Sequence, residues 1–405
     1  MSTPTTHPWK PTFYACFVAQ GFAIMGFTTA TSFMPFYLRE LGVTNDIDLR
    51  RWSGYIMAGA PISMFIFTLI WGSLADRFGR RRMVIRSMFG GTLVMALMGF
   101  VQTPGQLLAC RILQGALTGT ITAMLALVAS TAPRERAGYA LGMMHAAVAF
   151  GFAVGPMVGG HLAPFVTYRG TFMVASFFLC SGGCLVLLFA RENFRPQPRT
   201  EGVRRASYWD VLTSRGFFVA AFALFTLRFA NSVARPTFAL FVERISGDSA
   251  NVSVAVGNIF GMGGFAAALG AFYFGRRSDH IGHRRLLLFS CLFAGLGSFA
   301  YILTATAASV LLLRVVISFG AAGMRPSGNA IIRHATDDAN MGKAYGLSAS
   351  LGAIGWGLGS LSGGELSARL GLYAPFVLMG ALLLVAAVLV LLCIPRDEPV
   401  TPSPT

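Results

Sequence analysis

Gly72-Ser-Leu-Ala-Asp76-Arg77-Phe-Gly79-Arg80-Arg81-Arg82 is answered 203 residues later by Gly275-Arg-Arg-Ser-Asp279-His-Ile-Gly282-His-Arg284-Arg285. Gly72, Asp76, Gly79, Arg81 and Arg82 map onto Gly275, Asp279, Gly282, Arg284 and Arg285. The same offset carries Arg111 onto Arg314 and Glu40 onto Glu243. An offset of half the 405-residue chain marks a duplicated unit. Each copy is a charged turn between long apolar runs, the pattern of a short loop joining two membrane helices. Gly72 and Gly79 permit a tight turn and close helix approach.

Composition extends that reading to the whole chain. It is 55% hydrophobic and 12% charged, with a mean hydropathy of +0.63, whereas a soluble domain carries about 25% charge. Apolar runs near the length that crosses a ~30 Å hydrocarbon layer recur throughout. We read spans at 13–38, 52–74, 83–102, 105–130, 139–162, 168–190, 216–241, 252–274, 286–305, 308–331, 343–364 and 372–394. The expected fold is an all-α membrane protein with twelve transmembrane helices in two pseudo-symmetric six-helix bundles. These are residues 1–190 and 216–394, joined by a cytoplasmic linker at 191–215 and followed by a disordered tail at 395–405. The linker holds Ser207–Leu212, a candidate interfacial helix with Trp209 at head-group depth.

The net charge of +16 does not imply nucleic acid, because most Lys and Arg fall in loops on one side of these spans. That asymmetry places both termini in the cytoplasm and sets basic loops against anionic lipid head groups. The start of the chain lacks a signal-peptide pattern. Cys16, Cys110, Cys180, Cys184, Cys291 and Cys393 all lie in or beside spans, so neither a disulfide framework nor a metal pair is expected.

Several spans carry polar stripes. Arg111, Gln114, Thr118 and Thr122 share one face of the fourth, and Arg228, Asn231 and Arg235 one face of the seventh. Arg314, Ser318, Arg325 and Asn329 do the same on the tenth. Arg228 is mid-span, where a charge needs solvation or a partner. All 16 acidic residues lie in loops, tails or near helix ends. His145 is the one group titrating near neutral pH within the inner half of a span. Gly151, Gly155, Pro156, Gly159 and Gly160 form a helix-packing motif in the fifth span, since glycines at i and i+4 let backbones touch. The eleventh repeats it from Gly355 to Gly364. No nucleotide-binding loop, nucleophile elbow or metal-ligand spacing is present, which excludes the common enzyme and primary-pump classes.

Together these residues resemble the major facilitator superfamily along essentially the whole chain. Gly72–Arg82 is similar to its loop 2–3 motif, Arg111–Gly119 to its fourth-helix motif, and Gly151–Gly160 to the fifth-helix motif of its antiporters and exporters. Trp52-Ser53-Gly54 and Met34-Pro35-Phe36 look like MdtG-type bacterial multidrug exporters, in the drug/proton antiporter group. The resemblance implies secondary active transport by alternating access, in a monomer of the bacterial inner membrane. It implies no cofactor, a proton gradient as energy source, and small molecules and membrane lipids as partners.

By that resemblance the first, fourth, seventh and tenth helices line a central cavity. Arg111, Gln114, Arg228, Asn231, Arg235, Arg314, His145 and Trp356 become substrate or coupling candidates. Gly72, Asp76, Arg77, Gly79, Arg80, Arg81, Glu135, Asp279 and Arg284 become a conformational lock. An Arg of the loop is expected to reach Glu135, with Asp76 facing the other half. Efflux of amphipathic molecules is the expected activity. A lipid flippase or organic-anion exporter is the alternative, since Arg111, Arg228 and Arg314 suit an anionic or zwitterionic head.

Overall fold

The structure, a computed structural model, describes residues 9–192, 215–247, 251–334 and 341–393. The linker's Ser207–Leu212 segment and the 395–405 tail lie outside the described residues. So do the side chains of Asp76, Asp279, Arg325 and Asn329.

The described residues form helices α1 (Trp9–Thr31), α2 (Met34–Glu40), α3 (Asp46–Phe78), α4 (Arg80–Phe100), α5 (Pro104–Leu117), α6 (Thr120–Thr131) and α7 (Ala137–Phe189). The second half supplies α8 (Arg215–Val233), α9 (Phe238–Ser246), α10 (Val252–Ile281), α11 (His283–Phe299), α12 (Ala307–Gly320), α13 (Met324–His334), α14 (Met341–Leu370) and α15 (Ala374–Cys393). No strand occurs among the described residues. Eight helical stretches are long and apolar enough to cross a membrane. One is α7, whose 53 residues are two helices meeting at Thr167, where φ is 62°.

Local chemistry sets the helix ends. The Asn45 side chain accepts from the N–H groups of Ile47 and Asp48 (2.8 and 3.3 Å), starting α3 with two acids in its first turn. Thr103 and Gln106 form a reciprocal capping box on α5, and Thr306 and Ser309 repeat it on α12. Gly79 (φ 92°) and Gly282 (φ 90°) break the chain identically between α3/α4 and α10/α11. Each donates its N–H over 3.0 Å to the carbonyl four residues earlier. A side chain is strained at that φ, which explains why both copies of the loop keep glycine there.

The repeat extends into the packing. Tyr37 meets Phe172 at 4.9 Å between ring centroids, and Phe241 meets Phe376 at 4.6 Å. Thr28 Oγ1 donates to the Gly151 carbonyl (3.0 Å), as Ser232 Oγ does to that of Gly355 (3.5 Å). These pairs are separated by 204 residues, one more than the loops. In this part of the fold Glu40 therefore corresponds to Arg244 rather than Glu243, a correction to the 203 offset read for that pair; 204 is also the offset of the eleventh-span glycine motif. The register changes because the two copies differ by one residue in length between Glu40 and Gly54, and again between Arg111 and Gly151.

Candidate functional site

Arg81 and Arg284 of the repeated loop each reach a helix end in their own half. Arg81 Nη2 donates to the Leu187 carbonyl at the end of α7 (2.7 Å), and Arg284 Nη2 to the Leu391 carbonyl at the end of α15 (2.6 Å). A cation on the orphan carbonyls of a helix C-terminus is favourable twice over, by hydrogen bonding and by the helix dipole. Arg80 Nη1 reaches the Ala126 carbonyl of α6 at 3.5 Å. Among the described residues, Glu192 meets the loop, accepting from the N–H groups of Arg80 (3.0 Å) and Arg81 (2.7 Å). Glu135, the partner expected from the sequence, stands exposed beyond α6. Arg77 is exposed, with its guanidinium 5.5 Å from the Phe78 ring centre. These contacts brace each half as a unit.

Contacts between the halves lie towards the other face, the one bearing the α2–α3 and α9–α10 turns. Along α7, a Cβ on Gly151 would fall 2.7 Å from Ile24 Cβ and one on Gly155 2.6 Å from the Met25 carbonyl oxygen. Gly159 presses likewise on Thr29, so three of the four motif glycines seat α7 on α1. Gly160 points across the molecule, where its Cβ would lie 3.0 Å from Gly257 Cα on α10. The eleventh-span motif does the same: Gly355, Gly359 and Gly363 seat α14 on α8. Gly364 faces α3, with a Cβ there 2.6 Å from Gly54 Cα. Pro156, within α7, leaves the helix short of one N–H.

Charges close the same face. Arg39 Nη1 meets Glu243 Oε1 at 2.5 Å. Arg51 grips both oxygens of Glu365 (3.1 and 3.4 Å), which Arg369 also binds at 2.5 Å. Arg369 first, then Arg51, holds the Glu365 carboxyl below its ordinary value. This clamp is therefore present above the ordinary carboxyl range and is lost only as pH falls through the depressed value. At the 204 offset the dipeptide Arg39-Glu40 corresponds to Glu243-Arg244, with its charges exchanged. Equivalent positions meet near a pseudo-two-fold axis, so an unexchanged repeat would oppose like charges there. Arg39→Glu should therefore slow transport severalfold, a modest effect because exposed pairs are worth about 1 kcal/mol or less. Adding Glu243→Arg should restore it in a transport assay; failure of the double exchange to recover would contradict an attractive role for the pair.

Four helical paths are interrupted, and they are the ones the resemblance places around a cavity. The breaks fall between α1 and α2, at Thr118–Gly119 between α5 and α6 (Gly119 φ 129°), at Arg235–Thr237 between α8 and α9, and at Ala321–Gly323 between α12 and α13. Trp71 and Arg86 cover the carbonyls freed at the second break. Trp71 Nε1 donates to Ala116 (2.5 Å), Arg86 Nη1 to Leu117 (2.8 Å), and the guanidinium sits 3.4 Å from the indole centre. Neither residue was singled out from the sequence. Discontinuous helices are how transporters place polar groups at membrane depth.

The first and third breaks face each other across a small cavity of about 20 Å³. Thr31, Ser32, Met34, Pro35, Met57, Arg235, Pro236 and Phe260 line it. Arg235 stacks on Trp356 at 5.2 Å. Arg314 stacks on Phe238 (5.3 Å) and Phe260 (5.6 Å). Arg111 is set apart. It is 4% exposed, its Nε donates to the Ile56 carbonyl (3.0 Å), and its Nη1 to Gln114 Oε1. The fourth-helix stripe thus docks on α3 near Pro61, because Gly115 brings α5 against Ala60. Arg228 and Asn231 are exposed on α8, and His145 is exposed on α7. No cluster of His, Cys, Asp or Glu suited to a metal occurs among the described residues.

The sequence matches the Major Facilitator Superfamily over residues 16–307 and 220–405. It is 29% identical over 389 residues to "Multidrug resistance protein MdtG" of Serratia proteamaculans (strain 568), covering 96% of this chain and 95% of that protein. To the protein of the same name from Enterobacter lignolyticus (strain SCF1) it is 31% identical over 380 residues, covering 93% and 90%. Among solved structures, an inward-facing, occupied bacterial homologue of the human lysosomal transporter Spinster superposes with a TM-score of 0.80. That match has 15% identity and covers 97% of each chain. The human organic anion transporter MFSD10 (TETRAN) gives a TM-score of 0.72 at 18% identity, covering 95% of this chain and 100% of that one. With the duplicated loop, the paired glycine seams and the four interrupted helices, this places the chain in the Major Facilitator Superfamily, as a multi-pass membrane transporter and not an enzyme.

Proposed function

We propose that this transporter exports amphipathic small molecules in exchange for protons, by alternating access of two halves, 1–190 and 216–394. Each half crosses the membrane six times in this reading. The basic face lies in the cytoplasm of a bacterial cell, with both termini there. The observation that carries the proposal is the paired arrangement of the inter-half seams. Gly160 on Gly257 and Gly54 on Gly364 meet on one side of a cavity, where two braced bodies rock on small backbone contacts. The exporter motif Gly151–Gly160 and the name of the MdtG relatives support outward movement of drug-like compounds.

Proteoliposomes with an imposed pH gradient test this. Accumulation of a lipophilic fluorescent substrate that collapses with the gradient is the expected result. Uptake indifferent to the gradient would remove the proton from the account. Reporter fusions at position 199 and at the carboxyl terminus should report cytoplasm, and one near Ser246 the outside; termini on opposite sides would contradict twelve crossings. Export of an organic anion or lipid-linked substrate is the second reading, favoured by the arginines beside a cavity whose lining includes no carboxylate.

A further inference from the structure

We infer that Arg86 and Trp71 are positioning residues for transport: a clasp that holds the fourth membrane path broken, so that α5 and α6 move as separate pieces. In the second half an apolar ring pair stands in its place. Three observations converge on this clasp.

The first is what the break costs. At Thr118–Gly119 the chain leaves the helix completely, with ψ −168° at Thr118 and φ 129° at Gly119. A continuous helix would match the Ala116 and Leu117 carbonyls with the N–H groups of Thr120 and Ile121. Gly119, at the start of α6, has no side chain to cap those N–H groups. Unmatched backbone groups at membrane depth favour closing the helix. Two side chains from other helices oppose that closure. Trp71 Nε1 from α3 donates to the Ala116 carbonyl (2.5 Å), and Arg86 Nη1 from α4 to that of Leu117 (2.8 Å).

The second is how the two side chains hold each other. The guanidinium lies over the indole, 3.4 Å from its centre, so each fixes the other in place. Arg86 Nε is buried without a hydrogen-bond partner, and α4, α5 and α6 contain no Asp or Glu. A guanidinium is costly in such a setting. What it meets there is a carbonyl freed by the break and an aromatic face, which ties its position to the break.

The third is a contrast inside the molecule. The 203 offset takes Trp71 to Phe274 and Arg86 to Phe289, and these two rings meet at 6.3 Å. Phenyl rings have no donor for a carbonyl. The matching break, Ala321–Gly323, is only a tightened turn, in which Gly320, Ala321 and Met324 keep right-handed helical angles. The path is fully interrupted where the donors exist and merely tightened where they do not. The full interruption separates pieces with different neighbours. α5 lies on α3 and α4, whereas α6 lies on α1, α4 and α7.

Hydrogen–deuterium exchange and transport by the full-length protein in lipid bilayers test the clasp together. Trp71→Phe with Arg86→Phe gives the first half the ring pair of the second. Exchange in a peptide spanning residues 118–124 should slow about tenfold, as Thr120 and Ile121 recover helical acceptors. The maximal rate for a lipophilic fluorescent substrate should fall severalfold with KM unchanged. Gly119→Ala keeps the clasp but penalises the positive φ. It adds no crowding, since its Cβ would meet only Thr122 Oγ1, at 3.9 Å. This variant should slow exchange in the same peptide. Arg86→Lys keeps a donor without the planar group and should fall between wild type and the double variant. Loss of a pair that merely supports packing would speed exchange instead. Faster or unchanged exchange in 118–124, or wild-type transport beside slowed exchange, would overturn the inference. Should the double variant fail to fold, Gly119→Ala decides by the same two readouts.

Discussion

Gly160→Leu and Gly364→Leu should each reduce transport to near background while leaving the protein folded. In contrast, Gly155→Leu and Gly363→Leu should lose folded protein. The four glycines belong to two matched motifs, yet they touch different partners. Gly155 and Gly363 press on helices of their own half, against the Met25 carbonyl and the Val233 backbone. A leucine there overpacks a seam that never separates, at about 1–3 kcal/mol or more per site. Gly160 and Gly364 press across the molecule on Gly257 and Gly54. A leucine at either position props the halves apart only when this face closes, so its cost falls on one state. A differential of that size shifts a two-state balance roughly five- to 150-fold. Size-exclusion profiles, thermal unfolding and transport rates separate the two classes. If all four variants unfold, or all four transport normally, the division into fixed and separating seams is wrong.

Arg111→Lys should lose most transport and leave the relative affinities for different substrates largely intact. Arg111 is buried, and its guanidinium bridges the Ile56 carbonyl and Gln114. Lysine keeps the charge but is a point donor and does not reproduce a planar fork. The acceptor left unmatched costs about 1–3 kcal/mol, and the strain falls where α5 docks on α3, beside the Gly119 break. Reduced rate and lowered melting temperature with unchanged ligand selectivity is the expected pattern. A changed order of substrate preference in this variant would return Arg111 to the ligand site. Wild-type rates would show that charge alone is needed.

What the sequence disclosed follows from which interactions leave a signature in side-chain identity. Gly79 and Gly282 were legible because positive φ selects glycine, and Gly151–Gly160 because backbone contact needs small residues at helical spacing. The partners of Arg81 and Arg284 were not legible. They are main-chain carbonyls more than a hundred residues away, and any sequence presents carbonyls at a helix end. Glu192 went unnoticed for the same reason, since its partners are backbone N–H groups.

The interruptions were also hidden. Residues 105–130 read as one apolar run, and the break at Gly119 costs that run nothing in hydropathy. Arg111 and Arg235 were placed together as stripe residues, because periodicity reports a shared helix face without saying whether that face meets a neighbour or a cavity. The exchange of charge between Arg39-Glu40 and Glu243-Arg244 is written plainly in the chain. Its meaning emerged only when Tyr37–Phe172 and Phe241–Phe376 fixed the local offset at 204.

The central claim is that two rigid halves exchange closure between opposite faces. Paired distance measurements by spin labelling test it most directly. One pair, at Asp48 and Leu370, spans the halves on the face closed here; the other, at Arg136 and Arg333, spans them on the basic face. All four positions are exposed. Under conditions that drive turnover, the first distance should lengthen in the same population in which the second shortens, with label distances inside each half unchanged. Both distances moving in the same direction, or changes confined within one half, would contradict the account.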